Sequence, residues 1–414
     1  MQLFGNSEWL ILMTAVIWAC GDKQMEAIKR VRLSEIAALI TKGTTPTTLG
    51  YNFQEDGVNF LKIECFSDDG TYIKEKTAHI SEECHEKLKR SKLRTGDILF
   101  SIAGAIGRVA VVTEEMLPAN TNQALAIIRV TRDDIYLPYI KLILTSQIVK
   151  AQFERKKQGV AQLNISLKDI NELEIPLPEK SKQIECASLL EKISGIITAR
   201  QKQLQKLDEL VKARFVELFD ASSADKCTKR IKDYAEVLGG YAFKSDLFCT
   251  DAVPVIRISN INNGRVELDD SICFDKMFWE QNKRFRAEQN DILMAMSGAT
   301  TGKAGIYKED IPALINQRVA CIRAKDGIAC PMFLFVATQL EWMYDLIQET
   351  SAGCAQPNIS GKQIENMPVP ETTYEQQKQF AAFVKQTDKS KLAIQQSLDK
   401  MELLKKALMQ EYFG

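Results

Sequence analysis

Two stretches of the chain carry apolar residues at alternating steps of three and four. Residues 181–219 place Ile193, Ile197, Leu204, Leu207, Val211 and Leu218 on one stripe, and residues 375–413 do the same with Phe383, Ile394, Leu398, Met401, Leu404 and Leu408. Lys, Gln, Glu and Arg fill the positions between, and almost no Gly or Pro interrupts either run. A stripe at roughly 3.5-residue spacing predicts a helix that pairs with another along a seam. At 1.5 Å per residue each helix would reach roughly 60 Å, longer than a domain of ordinary size needs for its own packing. Elsewhere the period shortens. "VNFLKIECF" (Val58 to Phe66) and "VPVIRISNI" (Val253 to Ile261) are β-rich runs, followed by Asp69-Gly70 and Asn263-Gly264, dipeptides that accept the positive φ of tight hairpin turns. "DILFSIA" and "DILMAMS" read as buried strands ahead of Gly-rich turns that are expected to pass close to other backbone, and "NQALAIIRV" and "NQRVACIRA" read as strands again.

These elements come in pairs because the chain is written twice. "GDILFSIAGAIGRVAVV" (Gly96 to Val112) returns as "NDILMAMSGATTGKAGIY" (Asn290 to Tyr307), with Asp97 matching Asp291 (291 − 97 = 194). The same offset joins Pro118-Ala119 to Pro312-Ala313, Asn122-Gln123 to Asn316-Gln317, and "GVAQLNIS" (Gly159 to Ser166) to "GCAQPNIS" (Gly353 to Ser360). Ser166 ahead of Asp169, and Ser360 ahead of Gln363, have the spacing of a capping box that starts a helix. "EIPLPEKS" and "NMPVPETT" then close each globular part. The predicted order is globule, long helix, globule, long helix.

Composition narrows the function classes. At 414 residues, 45% hydrophobic and 26% charged, the chain is an ordinary globular protein of two or three domains. Lys plus Arg equals Asp plus Glu at 54 each, so any polyanion must be bound by a local basic surface. Ten scattered cysteines without a Cys-x-x-Cys pair, and only two histidines, argue against a zinc site and for reduced thiols in a cytoplasmic protein. Cys84 beside His85 would be a weak nucleophile–base pair, since adjacent residues point in different directions. "WLILMTAVIWAC" (Trp9 to Cys20) is too short to span a bilayer and lacks the basic residues of a secretory signal. Residues 1–24 therefore read as an atypical apolar extension, either a short buried helix or a sign that translation begins at Met25.

"SGATTGKAG" (Ser297 to Gly305) resembles a nucleotide phosphate loop at first sight, but only three residues separate Gly298 from Gly302, and Ala304 lacks the hydroxyl that reaches magnesium. Its sister around Gly104 has no such character. The duplicated order of a "G-D-I-L" strand with a Gly-rich turn, an "Asn-Gln" strand, a "Q-x-N-I-S" helix start, an "I-P-L-P" or "M-P-V-P" exit, and a long helix ending in Phe219 or Phe413 resembles instead the specificity subunit of type I restriction–modification systems. The resemblance covers nearly the whole chain from Met25. It implies an α+β fold with two duplicated β-rich target recognition domains (25–180 and 221–373), each followed by a long spacer helix (181–220 and 374–414). It further implies that the helices pair as an antiparallel coiled coil in a pseudo-twofold arrangement. As partners it implies double-stranded DNA read as an asymmetric split sequence, two modification (methyltransferase) subunits and restriction (translocase/endonuclease) subunits, with no membrane. No cofactor would sit on this chain: S-adenosylmethionine belongs to the modification subunit, and ATP and Mg to the restriction subunit. No catalytic or metal residue is expected here.

Phosphate contacts fix register and base-edge contacts specify sequence. The paired basic runs Lys89, Arg90, Lys92 and Lys283, Arg284, Arg286 are candidate phosphate contacts, as are Arg108 and Lys303 after the Gly turns and Lys62 and Arg257 on matching strands. Asn260 and Asn262 are candidate base readers on a hairpin, although Asn also serves turns for backbone reasons. Halves that read different sequences share scaffold and differ at readers, so specificity is expected in the divergent stretches 44–56 and 64–88, and 241–251 and 259–282. A scaffold with two β-rich protein-binding modules on a coiled-coil rod is the competing reading, and it predicts no salt-sensitive DNA affinity.

Overall fold

The computed structural model describes residues 29–155, 165–249, 252–269, 271–351 and 357–413, so the apolar N-terminal run and most of the "GVAQL" and "GCAQP" segments lie outside the described residues. Two compact units emerge: residues up to 197 together with those from 401 onward, and residues 198–400.

In the first unit β1 (Arg30–Arg32), β2 (Leu39–Lys42), β3 (Val58–Leu61), β4 (Ala78–Ile80), β5 (Ile98–Ser101), β6 (Val109–Val111), β7 (Ala119–Thr121), β8 (Leu125–Arg129) and β9 (Glu174–Pro176) form three sheets. Their orders are β2-β8-β5-β6, β4-β3-β7 and β1-β9. The four-stranded sheet is antiparallel, and its inner strands β8 and β5 are buried on both faces. Ile98, Phe100, Ala126 and Ile128 pack into a core with the helix Leu137–Leu144. The alternate residues Leu99, Leu125 and Ile127 enter a second core with Leu61, Cys65 and Phe66. Two-sided burial is why these strands read as continuous apolar runs rather than alternating ones.

The second unit repeats this plan with β10 (Lys229–Arg230), β11 (Ala235–Gly239), β12 (Val253–Ile256), β13 (Ile261–Asn262), β14 (Arg265–Val266), β15 (Cys273–Phe274), β16 (Arg286–Ala287), β17 (Ile292–Ala295), β18 (Ala304–Ile306), β19 (Ala313–Ile315), β20 (Val319–Ala324) and β21 (Pro368–Val369). Its sheets run β11-β20-β17-β18-β14-β13, β15-β12-β19-β16 and β10-β21. The hairpin β13–β14 turns on Asn263 (φ 47) and Gly264 (φ 76), so the Asn-Gly signal marks a two-residue turn with both centres left-handed. Ser166 and Ser360 cap their helices as expected, each accepting the backbone N–H three residues on, from Asp169 at 3.2 Å and Gln363 at 3.3 Å.

The long helices run Lys180–Phe219 and Tyr374–Phe413, 40 residues each. In the first unit Cys186, Leu190 and Ile193 share a core with Leu408 and Phe413 from the end of the second helix, whose terminal ring lies 5.5 Å from Tyr139. In the second unit Val211, Phe215 and Phe219 share a core with Phe380 and Val384, and Phe219 lies 5.0 Å from Phe333. Lys391 pairs with Asp208 there at 2.6 Å. Each helix thus begins on the unit whose strands precede it and ends in the core of the other half's unit.

Several sequence expectations change. Val211, Ile193, Leu398, Met401 and Leu408 are buried, and Ile197, Leu204, Leu207, Ile394 and Leu404 are half-buried, but Leu218 is 40% exposed. Phe215 and Phe219 continue the stripe from Val211 at steps of four, which turns Leu218 outward. Lys62 and Arg257 are not within strands. Each stands just past one, as the extended residue that opens a 3-10 turn. The Gly-rich stretches pass close to other backbone at Gly305, where a Cβ would stand 2.6 Å from the Arg265 carbonyl oxygen, whereas Gly104, Gly107 and Gly298 adopt φ of 73, 85 and 80 with open space where a Cβ would stand. They are glycine for the positive φ.

Candidate nucleic-acid interface

In the first unit a cleft of about 620 Å³ is lined by Thr41, His85, Lys89, Arg90, Lys92, Arg94 and Arg129, with Leu39, Leu93 and Leu117 to Ala119 as its apolar part. The helix Glu82–Lys87, capped by the Ser81 hydroxyl, delivers the chain into the 3-10 turn Lys89–Ser91 that forms one rim. Buried Asn120 on β7 fastens that turn: its amide donates to the Leu88 carbonyl at 3.0 Å and the Ser91 hydroxyl at 3.1 Å, and its oxygen meets His85 Nδ1 at 2.5 Å. Cys84 is buried and its thiol is pushed up by that burial, so Cys84 and His85 serve packing rather than nucleophilic chemistry.

Arg129 forms the floor. Its guanidinium donates in bidentate fashion to Asp97, at 2.7 and 2.6 Å, and the hydrogen bonds to that carboxylate hold the arginine's pKa above its usual value. Lys92 pairs with Glu86 at 2.5 Å. Lys89 and Arg94 are exposed without an ion pair among the described residues, and Arg90 reaches only the Thr41 hydroxyl at 3.4 Å. These are the groups with charge to offer an anion.

The equivalent place in the second unit is less positive. Lys283 and Arg284 stand exposed on the 3-10 turn Lys283–Phe285. Arg286, however, stacks over the Trp279 ring at 4.0 Å and donates to the carbonyls of Trp279 and Glu280 at 2.7 Å each. Glu288 occupies the position matching Arg94 and joins Asp291 in neutralising Arg323, at 2.7 Å each.

The other candidates separate into free and committed groups. Lys303 is exposed, and Lys62 is half-buried with its ammonium 4.4 Å over the Phe53 ring. Asn262 is exposed and donates to the Ser259 carbonyl and to Glu267, both at 3.2 Å. Arg257 has a buried Nε without a partner among the described residues. Three candidates are already engaged by groups of the fold. Asn260 is 5% exposed; its oxygen accepts from Arg257 N at 2.9 Å and its amide donates to the Glu267 carbonyl at 2.9 Å, so it holds the hairpin instead of reading bases. Arg108 donates to the Phe66 carbonyl at 2.9 Å and pairs with Asp68, which commits it to the turn after β3. Arg286 is committed as above. The Gly298–Lys303 loop is excluded as a phosphate cradle, because the amides of Gly298, Thr301, Gly302 and Lys303 all donate to backbone carbonyls and a strand, not a helix, follows.

The family model for the type I restriction modification DNA specificity domain matches residues 25–209 and 224–403, most of the chain and once in each half. The chain belongs to this family. Among similar specificity subunits, that of the type I restriction enzyme MjaVIII from Methanocaldococcus jannaschii is 24% identical over 296 residues, covering 67% of this chain and 68% of the relative. The EcoBI specificity subunit of Escherichia coli is 30% identical over 152 residues, 36% of this chain and 31% of the relative. The same fold is found in a chain from a study of complex assembly and conformational transition of the type I restriction–modification system, with TM-score 0.60 and 16% identity, covering 93% of this chain and 97% of that one. The specificity subunit from M. genitalium gives 0.52 and 14%, covering 95% and 98%.

Within this specificity-domain architecture the sequence reading missed a set of buried polar residues that repeat at the same offset. Asp97–Arg129 and Asp291–Arg323 are one ion pair built twice. Gln183 and Gln377, 1% and 0% exposed, each accept a backbone N–H, from Tyr136 and Cys330, at 2.8 Å, so a glutamine at the base of each long helix ties it to its unit. Their recurrence at matching positions was the available signal. Among the described residues no helix is long and apolar enough to cross a membrane, and no group of three or more His, Cys, Asp or Glu could hold a metal ion.

Proposed function

We propose that this chain is the DNA sequence-specificity subunit of a type I restriction–modification complex, in which residues 25–180 and 221–373 each read one half of an asymmetric split sequence. The observation that carries the reading is the pairing of identity with difference. Both units build corresponding sheets and the same buried ion pair, yet the groups around the basic turns diverge, with Arg94 against Glu288 and a Lys92 paired with Glu86 against an Arg286 stacked on Trp279. Shared scaffold with divergent rims is what two different half-sites require.

On this reading the long helices pair antiparallel as a coiled-coil spacer between recognition domains related by pseudo-twofold symmetry. The heptad burial and the way each helix ends in the other half's core support that arrangement. The helices would carry two modification subunits, which bring S-adenosylmethionine, and restriction subunits, which bring ATP and Mg, while this chain supplies the address and no catalysis. Co-expression with the modification subunit, followed by sequencing that detects N6-methyladenine, tests it. One asymmetric split motif methylated on both strands is expected; a complex that assembles, binds S-adenosylmethionine and yields no split motif would sink the reading. Salt-independent or absent DNA binding by that complex would favour the protein-binding scaffold instead.

A further inference from the structure

In each unit an isolated bridge ties the two divergent stretches together beside the smaller sheet. In the first unit it joins Gln54 to His79, and in the second it joins Cys249 to Cys273. The second bridge therefore sets two cysteines directly opposite each other where the first unit has none. Cys249 and Cys273 exchange both backbone hydrogen bonds, N to O at 3.1 Å in each direction, which defines a hydrogen-bonded antiparallel pair with both side chains on one face of the sheet.

We propose that Cys249 and Cys273 form a reversible dithiol/disulfide modification site whose oxidant is of the small-molecule disulfide class. Directly paired residues of this kind have Cα atoms about 5.5 Å apart, inside the range of about 4.4 to 6.8 Å that a disulfide bridges. The Cβ atoms of such a pair must close from about 5 Å to about 3.8 Å, so the bond forms under strain and is readily reduced. Among the described cysteines access also favours the pair, with half-buried Cys330 standing apart from any cysteine opposite it in a strand pairing. Cys249 is exposed and Cys273 half-buried, whereas Cys65, Cys84, Cys186, Cys227 and Cys321 are buried with thiols pushed up by that burial. The Cys249 thiolate attacks one sulfur of the oxidant's disulfide, forming a mixed disulfide and releasing one thiol. The Cys273 thiolate then displaces the second thiol. The two protons leave with the two released thiolates, and the two electrons pass to the oxidant.

The bond would lock the segment carrying Phe243 and Phe248 onto β15, where Phe243 and Phe274 already meet at 4.8 Å. Only the second unit would be affected, so oxidation would alter reading of one half-site; this consequence rests on the specificity reading above. The test is to treat the assembled complex with oxidised glutathione, map cross-linked peptides by mass, and measure DNA affinity before and after, for the wild type and for C249S and C273S. The expected result is a Cys249–Cys273 peptide reversed by dithiothreitol, with affinity for the split site lowered by about tenfold, within the cost of one mismatched base pair. C249S and C273S should show no such change. A stable mixed disulfide on Cys249 that Cys273 never resolves would overturn the site, and a cross-link that leaves affinity unchanged would overturn its effect on reading. The cross-link is read without DNA, so a reduced complex with no DNA affinity at all would count against the specificity reading and not against the thiol pair.

Discussion

Asp97 and Asp291 show what one buried carboxylate does in this fold. Each is almost fully buried, 1% and 2% exposed, and accepts both an arginine fork and the backbone N–H three residues before it, from Arg94 at 2.8 Å and Glu288 at 2.7 Å. The aspartate thus closes the turn before its strand and anchors Arg129 or Arg323 on the neighbouring strand. Asp97→Asn removes the charge and leaves the guanidinium short of a partner; a loss of ~3 kcal/mol is expected, read as a lowered denaturant midpoint. Asp69 behaves differently because it is exposed. Hydrogen bonds from the Ser67 and Thr71 side chains and from the Thr71 backbone hold its carboxyl near pKa about 2, below the ordinary 3.8. Its folded pKa is depressed, so its contribution is present above pH about 4 and is lost as pH falls toward about 2. Unfolding curves of wild type and Asp69→Asn should differ at neutral pH and converge across that window.

At the scale of elements, heptad burial and the terminal aromatic rings decide where the long helices are held. Phe219 lies 4.9 Å from Phe215, 5.0 Å from Phe333 and 5.6 Å from Phe380, whereas Leu218 beside it points away. Phe219→Ala should cost about 3–5 kcal/mol as a cavity opens in that cluster. Leu218→Ala should fall within about 0.5 kcal/mol of wild type, and a comparable loss from both would refute the assignment of the buried stripe. The 3-and-4 spacing in the sequence located both helices to within a residue or two, but choosing Phe215 and Phe219 over Leu218 required the partner cluster around Phe333.

At the scale of the whole chain, the two units carry unequal basic surfaces. Lys89, Arg90 and Arg94 line a cleft in the first, while in the second Arg286 and Arg323 are occupied and Glu288 replaces Arg94. If phosphates dominate the salt dependence of DNA binding, Lys89→Ala with Arg90→Ala should lower the slope of log K against log salt by about 2, about 1 per lost contact, and weaken all sequences alike. The matching pair Lys283→Ala with Arg284→Ala should produce a smaller reduction, because that surface is already partly neutralised by acids. Equal slopes for the two double variants would remove the asymmetry.

Duplication, helix positions, strand runs and turn dipeptides were all local in the sequence, because each rests on residues close together in the chain or on one constant offset. The roles of the candidate site residues were not local. Asn260, Arg108 and Arg286 look like groups that could face a ligand, yet each finds carbonyls or a carboxylate in a neighbouring turn once the chain folds. Asp97 and Arg129 are separated by 32 positions and meet only because β5 and β8 are adjacent in the sheet. Cys249 and Cys273 face each other only because a strand edge brings two divergent loops into register. Periodicity and composition fix what a segment becomes; which donor meets which acceptor is decided by strand pairing and helix packing, since a polar side chain takes whatever partner the folded chain places within hydrogen-bond reach.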